Sequence, residues 1–188
     1  MKKIILTAAF ALTILTLSAQ VSVETLGTVT ANTTIAAHQA AKGFANKQLS
    51  FSGSGELQQQ GSSEGKYTNA SGGANLRFAN VPETDFVISG INTIEIMMPV
   101  IGFGILKGPD SANGSELVVE YSTDGGSKWA AIKYPALPTG AGTGLVWNYR
   151  ETAPIPKVAN LTVRFRQTGK FVVFRIDDIA VKSLQGSN

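Results

Sequence analysis

Few side chains in this 188-residue chain can do chemistry: there is no cysteine, one histidine (His38), and thirteen Asp and Glu stand against sixteen Lys and Arg. Without cysteine there is no thiolate nucleophile, thiolate zinc site or disulfide, and one imidazole cannot make a multi-histidine metal centre. Carboxylates, hard oxygen ligands and aromatic faces are what is left. Glycoside hydrolysis needs two carboxyls about 5–10 Å apart across a cleft. The best pair on one strand face, Glu116 and Glu120, is four residues apart, which strand rise turns into roughly 13 Å. No E-x-D-x-E run brings acids closer, so a hydrolase would need a partner from a neighbouring strand. Sugar binding asks instead for exposed rings flanked by planar hydrogen-bonding groups. The candidates are Tyr67, Tyr134, Trp147 and Tyr149, with Asn148, Arg150, Arg164, Arg166 and Gln167 as polar partners. Trp147 and Tyr149, at period two, more often mark a core-facing strand than a binding platform. Arg164, Arg166 and Arg175 equally suit cross-strand ion pairs with Glu95 and Glu120.

The elements that must position these residues read as strands. Period-two alternation is clearest at 115–126 and 161–168, and shorter candidates lie at 48–52, 75–78, 85–89, 93–100, 128–134, 144–150 and 171–181. Short strands divided by Gly, Pro, Asn and Ser turns predict an all-β, antiparallel two-sheet sandwich. One short helix near the N-terminus is expected at 33–42, with Asn32 or Thr33 as cap and Gly43 as stop. His38 on that helix is expected at the surface or in a local hydrogen bond. The Gly/Ser/Gln-rich stretch 52–65 predicts a long hairpin loop. In the last strand Phe174 and Ile176 keep one register and Ile179 and Val181 the other, so a β-bulge is expected at Asp177-Asp178. The run Ser122-Thr-Asp124-Gly-Gly126-Ser-Lys-Trp129 has Asp-box spacing. It predicts Asp124 as a turn buttress accepting backbone N–H groups and Trp129 as core. A single copy does not make a propeller.

Lys2 and Lys3, the apolar run from Ile4 to Leu17, and Ser18-Ala19 have the form of a secretory signal peptide. Residues 1–19 are therefore expected to be removed, leaving 20–188 as a single β-sandwich domain that is secreted, extracellular or periplasmic, with no membrane span. The two lysines lost bring the net charge from +3 to +1. With no basic run elsewhere, no nucleic-acid partner is expected.

Three stretches, Glu24-Thr-Leu-Gly27, SGGANLRF at 71–78 and FRIDDIAV at 174–181, resemble jelly-roll β-sandwich modules of secreted Bacteroidota proteins. ISGINT (88–93), NGSELVVEYSTDGG (113–126) and LTVRFRQTG (161–169) extend the likeness over nearly the whole mature chain. Such modules mostly lack an assigned activity, often sit beside glycan-active enzymes, and are similar in fold to carbohydrate-binding modules. Longer members carry a C-terminal surface-sorting domain. Here seven residues follow Val181, so the resemblance does not carry surface attachment. It implies a jelly roll and offers a candidate structural calcium site, because calcium-binding jelly rolls often pair an acid of the first strand with an aspartate of the last; the alternative is that one aspartate hydrogen-bonds the adjacent backbone and the other is solvated. The matching positions are Glu24, Asp177 and Asp178, hard oxygen donors of the kind calcium takes. The resulting expectation is a non-catalytic binding module with a glycan or cell-surface partner, carbohydrate being the favoured ligand, through Tyr67, Trp147, Tyr149, Arg164 and Arg166. A structural or adhesive cell-surface protein is the alternative, and a glycoside hydrolase the weaker one.

Overall fold

In the computed structural model, which describes residues 22–184, the alternating segments form strands around one short helix. In chain order these are β1 (Ser22–Glu24), β2 (Thr33–Thr34), α1 (Ile35–Ala40), β3 (Ser50–Ser52), β4 (Glu56–Gln58), β5 (Asn75–Phe78) and β6 (Asp85–Ile91). They continue with β7 (Pro99–Lys107), β8 (Leu117–Ser122), β9 (Ala130–Ile132), β10 (Trp147–Glu151), β11 (Leu161–Gln167) and β12 (Phe174–Ser183). The first sheet runs β10-β7-β12-β5-β4-β2 with β1 also on β12, and the second runs β3-β6-β11-β8-β9. All pairings are antiparallel. This is the two-sheet sandwich that the turn spacing predicts. The expected signal peptide lies outside the described residues. Among those described, no helix is long and apolar enough to cross a membrane.

The core fills from alternate positions. Ile101, Phe103 and Ile105 of β7 face Leu161, Val163 and Phe165 of β11, and all are buried. Phe103 meets Phe165 edge-on at 5.1 Å between ring centroids. Each such side chain contributes about 1.5–3 kcal/mol by leaving water.

Of the strand expected at 93–100, residues 93–98 are turn and loop instead. Asn92 Oδ1 accepts the Ile94 N–H at 3.1 Å, and Thr93 Oγ1 donates to the Pro156 and Val158 carbonyls at 2.8 and 3.0 Å. The strand begins at Pro99 and runs through Gly102 and Gly104, whose glycines look like breakers in the sequence. They occupy outward positions of a strand whose alternate residues Ile101, Phe103 and Ile105 are core. The expected 52–65 loop likewise contains β4.

The helix is shorter than expected, and its cap is Thr34, whose Oγ1 accepts the Ala37 N–H at 3.2 Å. Its stop differs too. Lys42 takes the positive φ, 57°, while Gly43 is small because the His38 imidazole lies 2.1 Å from where its Cβ would be. His38 is buried, with Nε2 3.0 Å from the Leu26 carbonyl and its ring against Phe44.

The Asp-box turn forms as predicted: Asp124 Oδ1 accepts the Ser122 hydroxyl at 2.7 Å and the Lys128 N–H at 2.9 Å. Trp129 is not core. It is half-buried on the outside, with the Arg164 guanidinium 4.1 Å from its ring centroid, because β9 begins after it at an edge of the second sheet.

Candidate functional site

The outer face of the first sheet is built on the two glycines of β7. Tyr149 on β10 pairs with Gly104, and Glu151 with Gly102. A Cβ on Gly102 would lie 2.0 Å from the Tyr149 hydroxyl oxygen, and one on Gly104 would lie 2.0 Å from that of Tyr67. Any side chain on that stripe would exclude the tyrosines, so the glycines are what lets two phenol rings settle on the sheet.

Tyr67 reaches the sheet from the 59–74 segment, which is tied down along its length. Trp147 Nε1 donates to the Gly61 carbonyl at 3.0 Å. Arg175 Nη1 donates to the Gln60 carbonyl, Gln58 Oε1 and Asn75 Oδ1 at 2.7–2.9 Å. The strongest ties go to the bulge of β12. Asp177 pairs with Gly104 and Ala180 with Gly102, which leaves one extra residue, and Asp178 takes φ 50°. The expected bulge is therefore present, and it turns both aspartates under the segment. Ser63 Oγ donates to Asp177 Oδ2 at 2.6 Å, and the Asp178 N–H donates to Asp177 Oδ1 at 2.8 Å. Tyr67 Oη and the Ser71 N–H donate to Asp178 Oδ2 at 2.6 and 3.1 Å.

Burial sets the charge states. Asp177 is 0% exposed, and that burial, with the Asp178 and Glu24 charges adding to it, pushes its carboxyl up to about 8 against the hydrogen bonds that favour ionisation. Burial and the bond to Asp178 likewise hold the Tyr67 phenol protonated far above the ordinary range. Burial raises Tyr149 as well, with Lys182 opposing. Burial works against the Lys182 charge, but its contact with Glu151 wins and raises the ammonium above its ordinary value.

These residues open onto a pocket lined by Tyr67, Thr68, Asn69, Tyr149, Asp178 and Lys182, with Val23 and Ala180 as apolar floor. The Tyr67 and Tyr149 rings are half-buried, 5.7 Å apart between centroids and tilted by 39°. Lys182 Nζ lies 5.1 Å from the Tyr149 ring centroid and 2.5 Å from Glu151 Oε1.

The expected site residues do not all meet. Tyr67 and Tyr149 come together, but Trp147 is 6% exposed beneath the segment and offers a ligand no ring face. Arg164 and Arg166 lie on the outer face of the second sheet, across the sandwich. Both guanidiniums are spent on Glu120, at 2.8–3.1 Å, and Arg166 also on Glu83 at 3.1 Å. With both oxygens of Glu120 held and its carboxyl kept below the ordinary range by the two guanidiniums, over the opposing effect of burial, it is a poor proton donor or acceptor.

The calcium donors do not fit either. Glu24 pairs with Ile179 and turns inward beside Leu49 and Ile88, and its oxygens accept the N–H groups of Leu26, Ala45 and Asn46 at 2.7–2.9 Å. The aspartates turn the other way, and burial pushes the Asp177 carboxyl up, against the ionised form that a calcium ligand needs. Among the described residues, no group of three or more His, Cys, Asp or Glu side chains could hold a metal ion.

Gly102, Gly104, Ser63 and Lys182 escaped the sequence reading. The signal for the glycines was present in V-I-G-F-G-I-L, where they alternate with apolar residues at strand period.

Several solved structures are similar to this chain. TmCBM61 in complex with β-1,4-galactotriose is 16% identical over 72% of this chain and 88% of its own, with a TM-score of 0.43. The K2 cleaved adhesin domain of Lys-gingipain is 15% identical over 73% and 91%, with a TM-score of 0.46. A carbohydrate-binding module from Cellvibrio mixtus lichenase 5A, in complex with cellotriose, is 14% identical over 68% and 91%, with a TM-score of 0.39. No family model and no curated protein matches the chain.

Proposed function

We propose that this chain is a non-catalytic, secreted binding module that takes a glycan in the Tyr67–Tyr149 pocket. The observation that carries the reading is the pair of half-exposed tyrosine rings beside polar groups on a stage that needs no rearrangement. Apolar sugar faces stack on rings while carboxylate, amide and hydroxyl groups take the sugar hydroxyls. A segment already clamped to the sheet loses little freedom on binding, which favours affinity. Asp178 is the acceptor in the pocket, Asn69 and Thr68 supply donors at its rim, and Tyr149 is the stacking surface.

The test is an array of neutral oligosaccharides, followed by calorimetry on any hit. Tyr149→Ala should weaken binding about tenfold, which corresponds to the ~1.4 kcal/mol that one stacked ring supplies, while Tyr149→Phe keeps most of the affinity. An array that stays dark, or a Tyr149→Ala protein that is folded and binds as well as the parent, refutes the reading. An adhesive role is the second reading, favoured by Ile94, Met97 and Met98, which stand 43–74% exposed on one turn. Its mark would be self-association lost in Met97→Ser.

A further inference from the structure

We propose that the pocket accepts uncharged sugars and turns away acidic ones, and that Glu151 is the specificity-determining residue that makes it so. This rests on the glycan reading above and names the class of sugar.

Of the residues that line the pocket, Asp178 and Lys182 carry charge, and they are treated differently by their surroundings. Asp178 Oδ2 is held by a phenol hydroxyl and a backbone N–H. Neither donor carries a charge, so the negative charge is solvated but not cancelled. Asp177 behind it is bonded to Ser63 and to the Asp178 N–H and brings no positive charge. Lys182 could have been the counter-ion, but its ammonium leans over the Tyr149 ring and is paired with Glu151, a side chain that stands behind it on β10 and outside the pocket lining. The register puts it there: Glu151 pairs with Gly102, which in turn pairs with Ala180, two residues before Lys182 on β12.

A sugar carboxylate entering this pocket therefore meets one uncompensated carboxylate and an ammonium that already has a partner. Juxtaposed like charges are how binding sites refuse a wrong ligand. A neutral sugar meets the two rings, the apolar Val23 and Ala180, and an acceptor to which no ammonium or guanidinium is bonded.

The experiment uses the full chain and matched pairs of oligosaccharides, each neutral member set against its C6-oxidised uronate form, at low and at high salt. The parent protein should bind the neutral member of a pair about tenfold better, as expected where close like charges are only partly screened. Glu151→Gln releases the Lys182 ammonium and should raise uronate affinity about tenfold at low salt, a gain that 0.5 M NaCl, with a Debye length of only a few Å, removes. Adding Lys182→Met to Glu151→Gln should abolish that gain. Lys182 is half-buried and makes none of the hydrogen bonds that clamp the 59–74 segment, and circular dichroism checks that the variant keeps its fold. A parent that prefers uronates, or a Glu151→Gln protein whose preference is unchanged, overturns the inference while leaving the glycan reading intact. Silence toward both members of every pair removes both together.

Discussion

On the outer face of the first sheet a carboxyl with no exposed surface, Asp177, is pushed up to about 8, whereas on the outer face of the second sheet Glu120, buried less deeply, is held below its ordinary range. The difference lies in depth of burial and in what the neighbouring strands offer. Arg164 stands across from Glu120 and Arg166 diagonally beside it, opposite Val118, on β11, and two guanidiniums outweigh desolvation. Asp177 is offered a serine hydroxyl and an N–H, beside a second aspartate, and there desolvation prevails. One face is thus a closed network of ion pairs that holds Trp129 under Arg164. The other is a clamp of uncharged donors on two aspartates that holds a chain segment down and leaves two rings half-exposed. Similar residue types make a self-satisfied surface in one place and a receptive one in the other, which is why function is assigned to the tyrosine face.

The two faces should respond oppositely to pH, and this is the largest effect expected. An Asp177 raised above its unfolded value of 3.8 contributes stability that is fully present below that value. As pH rises toward about 8 the unfolded chain gives up this proton and the native state keeps it, so stability falls, by on the order of a few kcal/mol. The Glu120 contribution has the other sign: it is present above the ordinary glutamate range and is lost as pH falls through the depressed native value. Asp177→Asn should therefore raise the melting temperature at pH 8.5 far more than at pH 4.5. A protein whose pH–stability profile is indifferent to the substitution would show that the clamp does not hold a neutral carboxyl. Next in size is Glu120→Gln. It leaves two partly solvated guanidiniums short of an anion and should cost about 1–2 kcal/mol after allowance for screening. Urea denaturation in 50 mM and 500 mM NaCl measures it, and the deficit should shrink in high salt. If glycan affinity fell with it, the separation of the two faces would be wrong.

Much of this was legible in the residues, and the limits have physical causes. The bulge could be read from the parity change between Phe174-Ile176 and Ile179-Val181, because a one-residue slip flips every side chain to the other face. The Asp-box turn could be read because its hydrogen bonds are local. β7 could not, since glycine is a poor strand former on its own account and its value here appears only when Tyr67 and Tyr149 arrive from 35 or more residues away along the chain. For the same reason Trp147 and Tyr149, adjacent on one strand face, have different fates: the 59–74 segment covers one ring and spares the other. Arg164 and Arg166 had a ligand reading beside an ion-pair reading, the commoner use of such residues, and only the strand register beside Glu120 decides between them.

The smallest expected effect concerns the line between the two sides of the first sheet. A calcium joining β1 to β12 would need oxygens from Glu24 and from the aspartates at one point. Glu24 instead spends both oxygens on three N–H groups at 2.7–2.9 Å, on the core side, and Asp177 spends its own on Ser63 and the Asp178 N–H, on the outer side. A calcium ion takes 6–8 oxygen ligands, and recruiting these carboxylates would mean breaking five short hydrogen bonds across a strand. The melting temperature should therefore move by less than about 1 °C between excess EDTA and millimolar CaCl₂, since a ligand that does not bind the native state adds nothing to its stability. Glu24→Gln, by contrast, should be clearly destabilising in both buffers, because it swaps an acceptor-only carboxylate for an amide that turns two donor hydrogens toward backbone N–H groups. A stabilisation by calcium that disappears in Glu24→Gln would reverse this, merging the two sides of the sheet into one metal-linked junction.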